Sequence, residues 1–188
     1  MSARQAELLE AAYRYALANG LVDLSLRPLA SAIGSSPRVL LFLFGSKEGL
    51  VKALISRART DELALLGDKS GDEAAEDLPG AVERIWAWLA AEEHRPLLRL
   101  WAEAYARSLA EPDGAWAGFA KATVDDWLTV LAGCQAPAER DTAAGVARRT
   151  LALAVLRGAL LDLLATGDEA RVTAAVREAT AGVRAASR

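Results

Sequence analysis

The side chains whose types and spacing could do chemistry lie between Arg27 and Lys47. Arg38 can donate hydrogen bonds to a guanine edge or to a phosphate, while Leu41 and Phe42 can contact thymine methyl groups. Arg27 and Lys47 flank this set and are placed to reach phosphates on either side of it. The pattern therefore predicts a nucleic-acid contact rather than a catalytic centre.

Two short helices joined by a turn must position these side chains. Ser25 can cap a first helix that ends at Gly34, and Ser36 followed by Pro37 is a strong start signal for a second helix. A third helix follows, so the layout is that of a helix-turn-helix, which places its second helix in the major groove. A small helical subdomain with solvated charges and a buried apolar helix fits the same pattern.

Helical periodicity continues along the whole chain and predicts an all-α fold. Leu40, Leu43 and Phe44 share one face of the second short helix, so we expect them to pack on the helices before it. A polar segment over 67–80, containing Gly and Pro, is typical of a connection between two domains. The remaining predicted helices cover roughly 4–19, 46–66, 81–93, 96–110, 113–133, 138–166 and 168–186.

The 188-residue chain has a net charge of −3 that is unevenly distributed. Residues 1–60 hold eight basic and four acidic residues, a net +4, and the remainder holds 14 basic and 21 acidic residues, a net −7. A polyanion is therefore attracted to the N-terminal part. One cysteine, no run of about 18 apolar residues and no secretory signal predict a cytoplasmic protein without a membrane span.

Catalytic and metal chemistry need clustered groups, and this sequence has one histidine, His94, and one cysteine, Cys134. Glu92 and Glu93 are adjacent to His94, which is not the Glu-x-x-His spacing of a di-iron site. There is no phosphate-binding glycine loop and no G-x-S-x-G elbow. We expect no enzymatic activity, no metal and no cofactor, and interpret His94 as a helix-end residue that interacts with the last carbonyl groups.

The N-terminal 55 residues or so resemble the DNA-binding domain of TetR-type transcriptional regulators. The order and spacing of several blocks carry this resemblance together, the last being the most specific. The blocks are Ala18-Asn19-Gly20, Leu24 to Arg27, Leu29-Ala30, Ile33 to Arg38, the aromatic Phe44, and Gly45-Ser46-Lys47-Glu48-Gly49-Leu50.

The resemblance implies a homodimeric repressor whose larger C-terminal domain binds a small effector and carries the dimer interface. We therefore divide the chain into a helix-turn-helix head (1–50), a connecting helix (51–66) and a ligand-binding and dimerisation domain (67–188). The family commonly has Tyr or His at the positions of Leu41 and Leu43. A leucine side chain, unlike these two, cannot hydrogen-bond phosphate. The candidate DNA contacts, by this resemblance and by the chemistry above, are Arg27, Ser35, Ser36, Pro37, Arg38, Leu41, Phe42 and Lys47.

Large aromatic side chains are concentrated beyond the 67–80 segment. They can line a cavity for an apolar or aromatic small molecule, although tryptophans at helical spacing are more often plain core. The candidate effector-binding residues are Trp86, Trp101, Tyr105, Trp116, Phe119 and Trp127.

The last two predicted helices carry long apolar stripes with interspersed small residues. Two such helices from each of two chains would form a four-helix interface, and the alternative is that both stripes are buried within one chain. A two-fold dimer would place its reading helices about 34–36 Å apart, or a multiple of that distance. The candidate interface residues are Leu153, Leu156, Arg157, Leu160, Leu161, Leu164, Val172 and Val176.

The sequence thus predicts a homodimeric repressor that a small-molecule effector releases from a near-palindromic operator in double-stranded DNA. A second hypothesis is a helical small-molecule-binding or interaction protein whose DNA-binding head is weakened. Leu41 and Leu43 are the residues that support this alternative.

Overall fold

The structure, a computed structural model, describes residues 1–21, 24–67, 77–111 and 113–185. Every regular element in these ranges is helical, which confirms the all-α prediction. None of these helices is long and apolar enough to cross a membrane. A 3₁₀ helix covers Glu92–His94, and the α-helices are α1 (Ala3–Asn19), α2 (Leu26–Ala32), α3 (Pro37–Phe44), α4 (Lys47–Gly67), α5 (Leu78–Ala90), α6 (Arg95–Ala110), α7 (Phe119–Gly133), α8 (Pro137–Arg140), α9 (Ala143–Thr166) and α10 (Glu169–Ala185).

The chain forms two compact units. The first unit comprises Met1–Gly67 with Pro96–Thr123, and the second comprises Asp68–Arg95 with Val124–Arg188. Most of the predicted 67–80 connection, residues 68–76, lies outside the described residues. The functional division at residues 50 and 66 stays a prediction, because compact units are defined by packing and not by function.

The helical head within the first unit is held together by α1 to α4, whose apolar faces converge. The guanidinium of Arg57 on α4 donates to the Glu10 carboxylate on α1 and lies 5.0 Å from the centre of the Tyr13 ring. The longest helix of the head is therefore fixed to the first by charge and by packing. The fully buried leucines of this core are Leu8, Leu29, Leu40, Leu50 and Leu54.

Serine caps define the starts of α3 and α4. The Ser36 hydroxyl oxygen accepts a hydrogen bond from the Val39 amide at 3.3 Å, and that of Ser46 accepts from the Gly49 amide at 3.0 Å. Ser25 occupies the N-cap position of α2 but makes no side-chain cap hydrogen bond there, so the predicted Ser25 cap is wrong. Packing of α2 on its neighbours must stabilise that helix instead.

The junction between α3 and α4 explains one glycine of the Gly45–Leu50 block. A Cβ atom at Gly49 would lie 2.1 Å from the Phe44 carbonyl oxygen, so no other residue fits without moving the backbone. On α3 itself Leu40 is buried as predicted, whereas Leu43 and Phe44 are only half-buried. The buried face of α3 is therefore narrower than its apolar sequence suggests.

The second unit packs α5 against α9 and α10. Their contact includes a polar link, because the Trp86 indole nitrogen on α5 donates to the Thr173 hydroxyl on α10 at 2.9 Å. Leu156 on α9 and Val172 and Val176 on α10 are buried in the same core.

Two predicted helices differ from the structure. The 113–133 helix begins only at Phe119, after a turn, and the 138–166 helix is split into α8 and α9. The split occurs because the Thr142 hydroxyl caps α9 by accepting from the Gly145 amide at 3.0 Å. A Cβ atom at Gly145 would lie 2.1 Å from the Glu139 carbonyl oxygen, so α8 folds directly against the first turn of α9.

Candidate nucleic-acid interface and effector region

The outward face of α3 is formed by Arg38, Val39, Leu41 and Phe42, which we term the α3 surface. Arg38 and Phe42 are four residues apart, so they are neighbours on one side of the helix. All four residues are exposed, and Phe42 is 85% exposed. Sequence reasoning missed Val39, although its position one residue before the buried Leu40 placed it at the edge of the outward face.

Two further cations predicted to reach phosphate, Arg27 on α2 and Lys47 at the start of α4, are also exposed. The Ser36 hydroxyl oxygen caps α3, but its hydrogen remains available for donation to a phosphate oxygen. Pro37 is half-buried at the start of α3, where it shapes the helix and offers no polar group.

Ser35 does not meet the expectation for a DNA contact. Its hydroxyl oxygen is inaccessible to solvent and has no hydrogen-bond partner among the described residues. The Ser35 amide donates to the Ala30 carbonyl at 2.8 Å, which holds the residue inside the turn between α2 and α3. In this conformation the Ser35 hydroxyl is not accessible to DNA, and a DNA contact by this residue stays a prediction.

A negatively charged side chain, the carboxylate of Glu48, lies in the first turn of α4. A hydrogen bond from its own backbone amide, with contributions from Ser46 and Lys47, holds the pKa of the Glu48 carboxyl below its ordinary value. Glu48 is therefore negatively charged at neutral pH, beside the exposed Lys47. This end of α4 is less attractive to phosphate than its position after α3 suggests, so the predicted phosphate contact depends on the long side chain of Lys47.

The predicted effector-binding aromatics are divided between the two units. Trp86 and Trp127 belong to the second unit, and the other four to the first. Tyr105 is half-buried and the rest are buried, so their burial agrees equally with a core role. Within the first unit the Trp101 and Tyr105 rings lie with their centres 5.0 Å apart, tilted by 31°.

Like the Ser35 hydroxyl, the Trp101 indole nitrogen and the Thr123 hydroxyl oxygen are buried in the first unit and lack partners among the described residues. A buried polar group without a hydrogen bond is unfavourable, and such groups are often satisfied by a bound molecule or water. Sequence reasoning missed Thr123, because a threonine within a helix gives no signal until its burial is known. We group the first-unit candidates Trp101, Tyr105, Trp116 and Phe119 with Thr123 under the name effector region, and their role in effector binding stays a hypothesis.

The second unit contains a groove of about 690 Å³ between α5 and α10. Of the predicted effector residues only Trp86 lines it, and the indole nitrogen is already bonded to Thr173. Val176, predicted at the dimer interface, lies at this groove instead.

The dimer interface stays a prediction, but most of the residues predicted for it are buried within the single chain. Leu153, Leu156, Leu160, Val172 and Val176 are buried within the single chain, so they cannot face a partner. For these five residues the alternative of burial within one chain is right. Arg157 and Leu164 are half-buried, and Leu161 is exposed.

A different face of α9 is open to solvent. The exposed residues of this face recur at three- and four-residue intervals, which is the spacing of a helix–helix seam. Leu151 and Leu161 are 54% and 48% exposed, and small residues lie between them. We call this set the α9 stripe, formed by Ala147, Leu151, Ala154, Gly158, Leu161 and Ala165.

His94 has the predicted helix-end role. Its Nδ1 lies 2.8 Å from the Trp88 carbonyl oxygen and must carry the proton, since a carbonyl only accepts. Its ring stacks on the Trp88 ring at 4.0 Å. Among the residues that the structure describes, no group of three or more His, Cys, Asp or Glu is arranged to hold a metal ion.

No protein-family model matches the sequence, and no curated protein matches it significantly. Solved structures do match it. A Rhodococcus sp. protein assigned to the TetR family of transcriptional regulators is 18% identical, with a TM-score of 0.76 over 97% of this chain and 99% of that one. A TetR transcription regulator from Haloarcula marismortui is 17% identical, with a TM-score of 0.73 over 99% and 98% of the two chains. The multidrug binding protein EbrR, in complex with imidazole, is 24% identical, with a TM-score of 0.64 over 94% and 89%.

These similarities extend over both compact units, whereas the sequence resemblance was confined to the N-terminal blocks. The capping and turn signals in the sequence and the backbone similarity over the full length therefore indicate the same fold. The chain has the fold of the TetR-family transcriptional regulators.

Proposed function

We propose that this protein is a homodimeric, ligand-responsive DNA-binding regulator that represses transcription by occupying a near-palindromic operator. One observation carries the proposal: α3 follows a capped turn and exposes Arg38 and Phe42, in a chain with the fold of TetR-family regulators throughout. Arg38 supplies base or phosphate contact, and Arg27 and Lys47 supply phosphate contact. The +4 charge of residues 1–60 favours the approach of this end to DNA.

Dimerisation would use the α9 stripe. Leu151 and Leu161 expose apolar surface at a spacing suited to a neighbouring helix, and Ala154 and Gly158 allow the two backbones to approach closely. A two-fold axis through this face makes the contact isologous, so each copy contributes the same stripe. A palindromic operator matches that symmetry.

The effector would bind in the effector region of the first unit. The Trp101 indole nitrogen, which has no partner in the described part of the chain, can donate, and the Thr123 hydroxyl can donate or accept. The preferred ligand is therefore aromatic or apolar with at least one hydrogen-bonding group. EbrR, which has the same fold, is described as a multidrug binding protein and was solved with imidazole, a small aromatic ring with polar nitrogens.

A contact within the first unit suggests how the effector acts on the head. Glu103 lies on α6 between Trp101 and Tyr105, and its carboxylate accepts hydrogen bonds from the Leu21 amide at the end of α1. A ligand that moves this turn of α6 would weaken the contact and shift the head towards orientations that do not fit the operator. The ligand can do so only to the extent that it binds the two states with different affinity.

The alternative is a helical small-molecule-binding or interaction protein with a weakened head. Leu41 and Leu43 favour it, because neither can hydrogen-bond to phosphate. Its distinguishing consequence is that DNA binding, where present, is non-specific and lost at physiological salt.

The test is fluorescence anisotropy of the purified protein with DNA from around its own coding region, across a salt series and with unlabelled bulk DNA as competitor. The proposal expects binding that survives competitor, with one dimer per site, and a larger loss of specific than of non-specific binding for Arg38→Ala. Arg99→Ala, an exposed arginine on α6, is the matched control and should bind as the parent does. Binding that competitor abolishes at every fragment would favour the alternative.

A further inference from the structure

Phe42 is an exposed aromatic side chain on the α3 surface that contributes nothing to the core of the head. Helical geometry places it about 200° around α3 from the buried Leu40, at about 100° per residue, so it cannot reach the head core. It is 85% exposed, and its neighbours on the α3 surface, Val39 and Leu41, are exposed as well. Such apolar exposure at one end of a small unit is typical of a contact surface.

The α3 surface has few side chains that can form hydrogen bonds. Val39, Leu41 and Phe42 have no side-chain donor or acceptor, so Arg38 is the one residue of that surface able to read a base edge by hydrogen bonds. Sequence discrimination by the rest of this helix must therefore use apolar contact. In the major groove the apolar group that distinguishes one base from the others is the thymine 5-methyl group.

Charge indicates duplex DNA rather than protein as the occupant of this face. Arg38 lies within the surface, and Arg27 and Lys47 are exposed on the helices that precede and follow it. An apolar protein partner would have to desolvate these cations, whereas phosphates pair with them while the apolar centre meets the groove floor.

We propose that Phe42 is a specificity-determining residue that reads a thymine methyl group beside the base pair contacted by Arg38. This inference rests on the proposed function, in which α3 enters the major groove. Arg38 and Phe42 are four residues apart, roughly 6 Å along the helix axis, and base pairs are stacked about 3.4 Å apart. Each half-site should therefore contain a thymine within one or two base pairs of the guanine that Arg38 reads.

The experiment begins with selection of binding sites from a random duplex library by the full chain. Each thymine of the enriched half-site is then replaced by uracil, which removes only the 5-methyl group, in both half-sites. At one thymine per half-site we expect parent binding to weaken about four-fold per methyl group, equivalent to about 0.8 kcal/mol.

The same duplexes are measured with Phe42→Ala, which alters an exposed residue and should leave the unfolding midpoint unchanged or higher. This variant should bind the thymine site about ten-fold more weakly and should no longer distinguish uracil from thymine. Loss of that distinction is the coupling that a merely structural residue would not produce. Leu109→Ala, another exposed apolar residue, on α6, is the control and should retain the uracil effect.

Each contrary result has a separate meaning. An enriched site at which the parent ignores every uracil replacement overturns the role of Phe42 and leaves the proposed function standing. Selection without enrichment overturns the proposed function and this inference together. Self-association of the parent that Phe42→Ala abolishes, with the uracil effect retained, would assign the surface to a protein contact instead.

Discussion

The carboxylate of Glu103 on α6 accepts hydrogen bonds from the backbone amide of Leu21, at 3.0 Å to one oxygen and 2.9 Å to the other. The two residues are 82 positions apart in sequence. A Cβ atom at the preceding Gly20 would lie 3.2 Å from the same carboxylate, so the residue before Leu21 is also closely packed. This contact joins the end of α1 to the helix that carries Trp101 and Tyr105.

Replacing Glu103 by Ala should destabilise the protein by about 1.5–3 kcal/mol, because a part-buried amide loses a charged acceptor. It should also weaken the response of DNA binding to effector. Chemical denaturation and operator anisotropy with and without effector measure the two effects. Glu111→Ala is the control, since Glu111, the residue directly after α6, pairs with Arg107 at the surface and such pairs contribute about 0–1 kcal/mol. Equal effects of the two substitutions would contradict the coupling role.

Lys47 should contact phosphate and not bases. Lys47→Ala should therefore weaken binding to all DNA sequences alike and reduce the slope of log affinity against log salt by about 1. Anisotropy titrations at several salt concentrations give this slope. Lys52→Ala, also an exposed lysine on α4, is the matched control. A change in sequence preference with Lys47→Ala would assign that residue a base contact instead.

The α9 stripe should form the dimer interface. Leu151→Glu combined with Leu161→Glu places two charges in each copy of the proposed contact, so the variant should be monomeric at concentrations where the parent is dimeric. Sedimentation velocity reports the change, and far-ultraviolet circular dichroism checks that helix content is retained. Leu109→Glu, at a residue 68% exposed on α6, should leave the dimer intact. A dimeric double variant would place the interface elsewhere.

Thr123 and Thr180 offer a matched pair of buried threonines, 1% and 2% exposed. The Thr123 hydroxyl has no partner among the described residues, whereas that of Thr180 donates to the Val176 carbonyl at 2.8 Å. Thr123→Val should stabilise the free protein by about 1 kcal/mol, and Thr180→Val should be neutral or destabilising by about 1 kcal/mol. Denaturant unfolding compares them, and effector affinity should fall only for Thr123→Val. A stability loss at Thr123 would indicate a bound water there.

Asp162 should stabilise the fold only at pH values where its carboxyl group is ionised. Hydrogen bonds from Arg171, at 2.7 and 2.9 Å, hold the pKa of its carboxyl below the ordinary value. Because the folded-state pKa is the lower one, the contribution is complete above the ordinary carboxyl pKa and is lost as pH falls through the folded-state value. Asp162→Asn should lower stability at pH 7 and flatten the decline on the acid side. Unfolding curves from pH 3 to 7 test this, with the exposed Asp141→Asn as the charge control.

The sequence alone determined the local structure of the head. Ser36-Pro37 starts α3, Gly45 ends it, and Gly34 lies in the turn that follows α2. These signals act within a few residues, so they are readable without a fold. The exposure of Arg27, Arg38 and Lys47, which their predicted role as DNA contacts requires, also follows from the sequence, because charged side chains seldom lie in a core.

Only the tertiary structure decided which apolar side chains are exposed and which buried polar groups form hydrogen bonds. α9 is apolar around most of its circumference, so periodicity could not separate the buried Leu156 from the exposed Leu151. The hydrogen bond between Glu103 and Leu21 depends on residues distant in sequence. So does the burial of the Ser35 and Thr123 hydroxyls, which lack partners within the ranges that the structure describes. Burial and hydrogen-bond satisfaction are properties of the packed chain, because each depends on the neighbours that folding supplies.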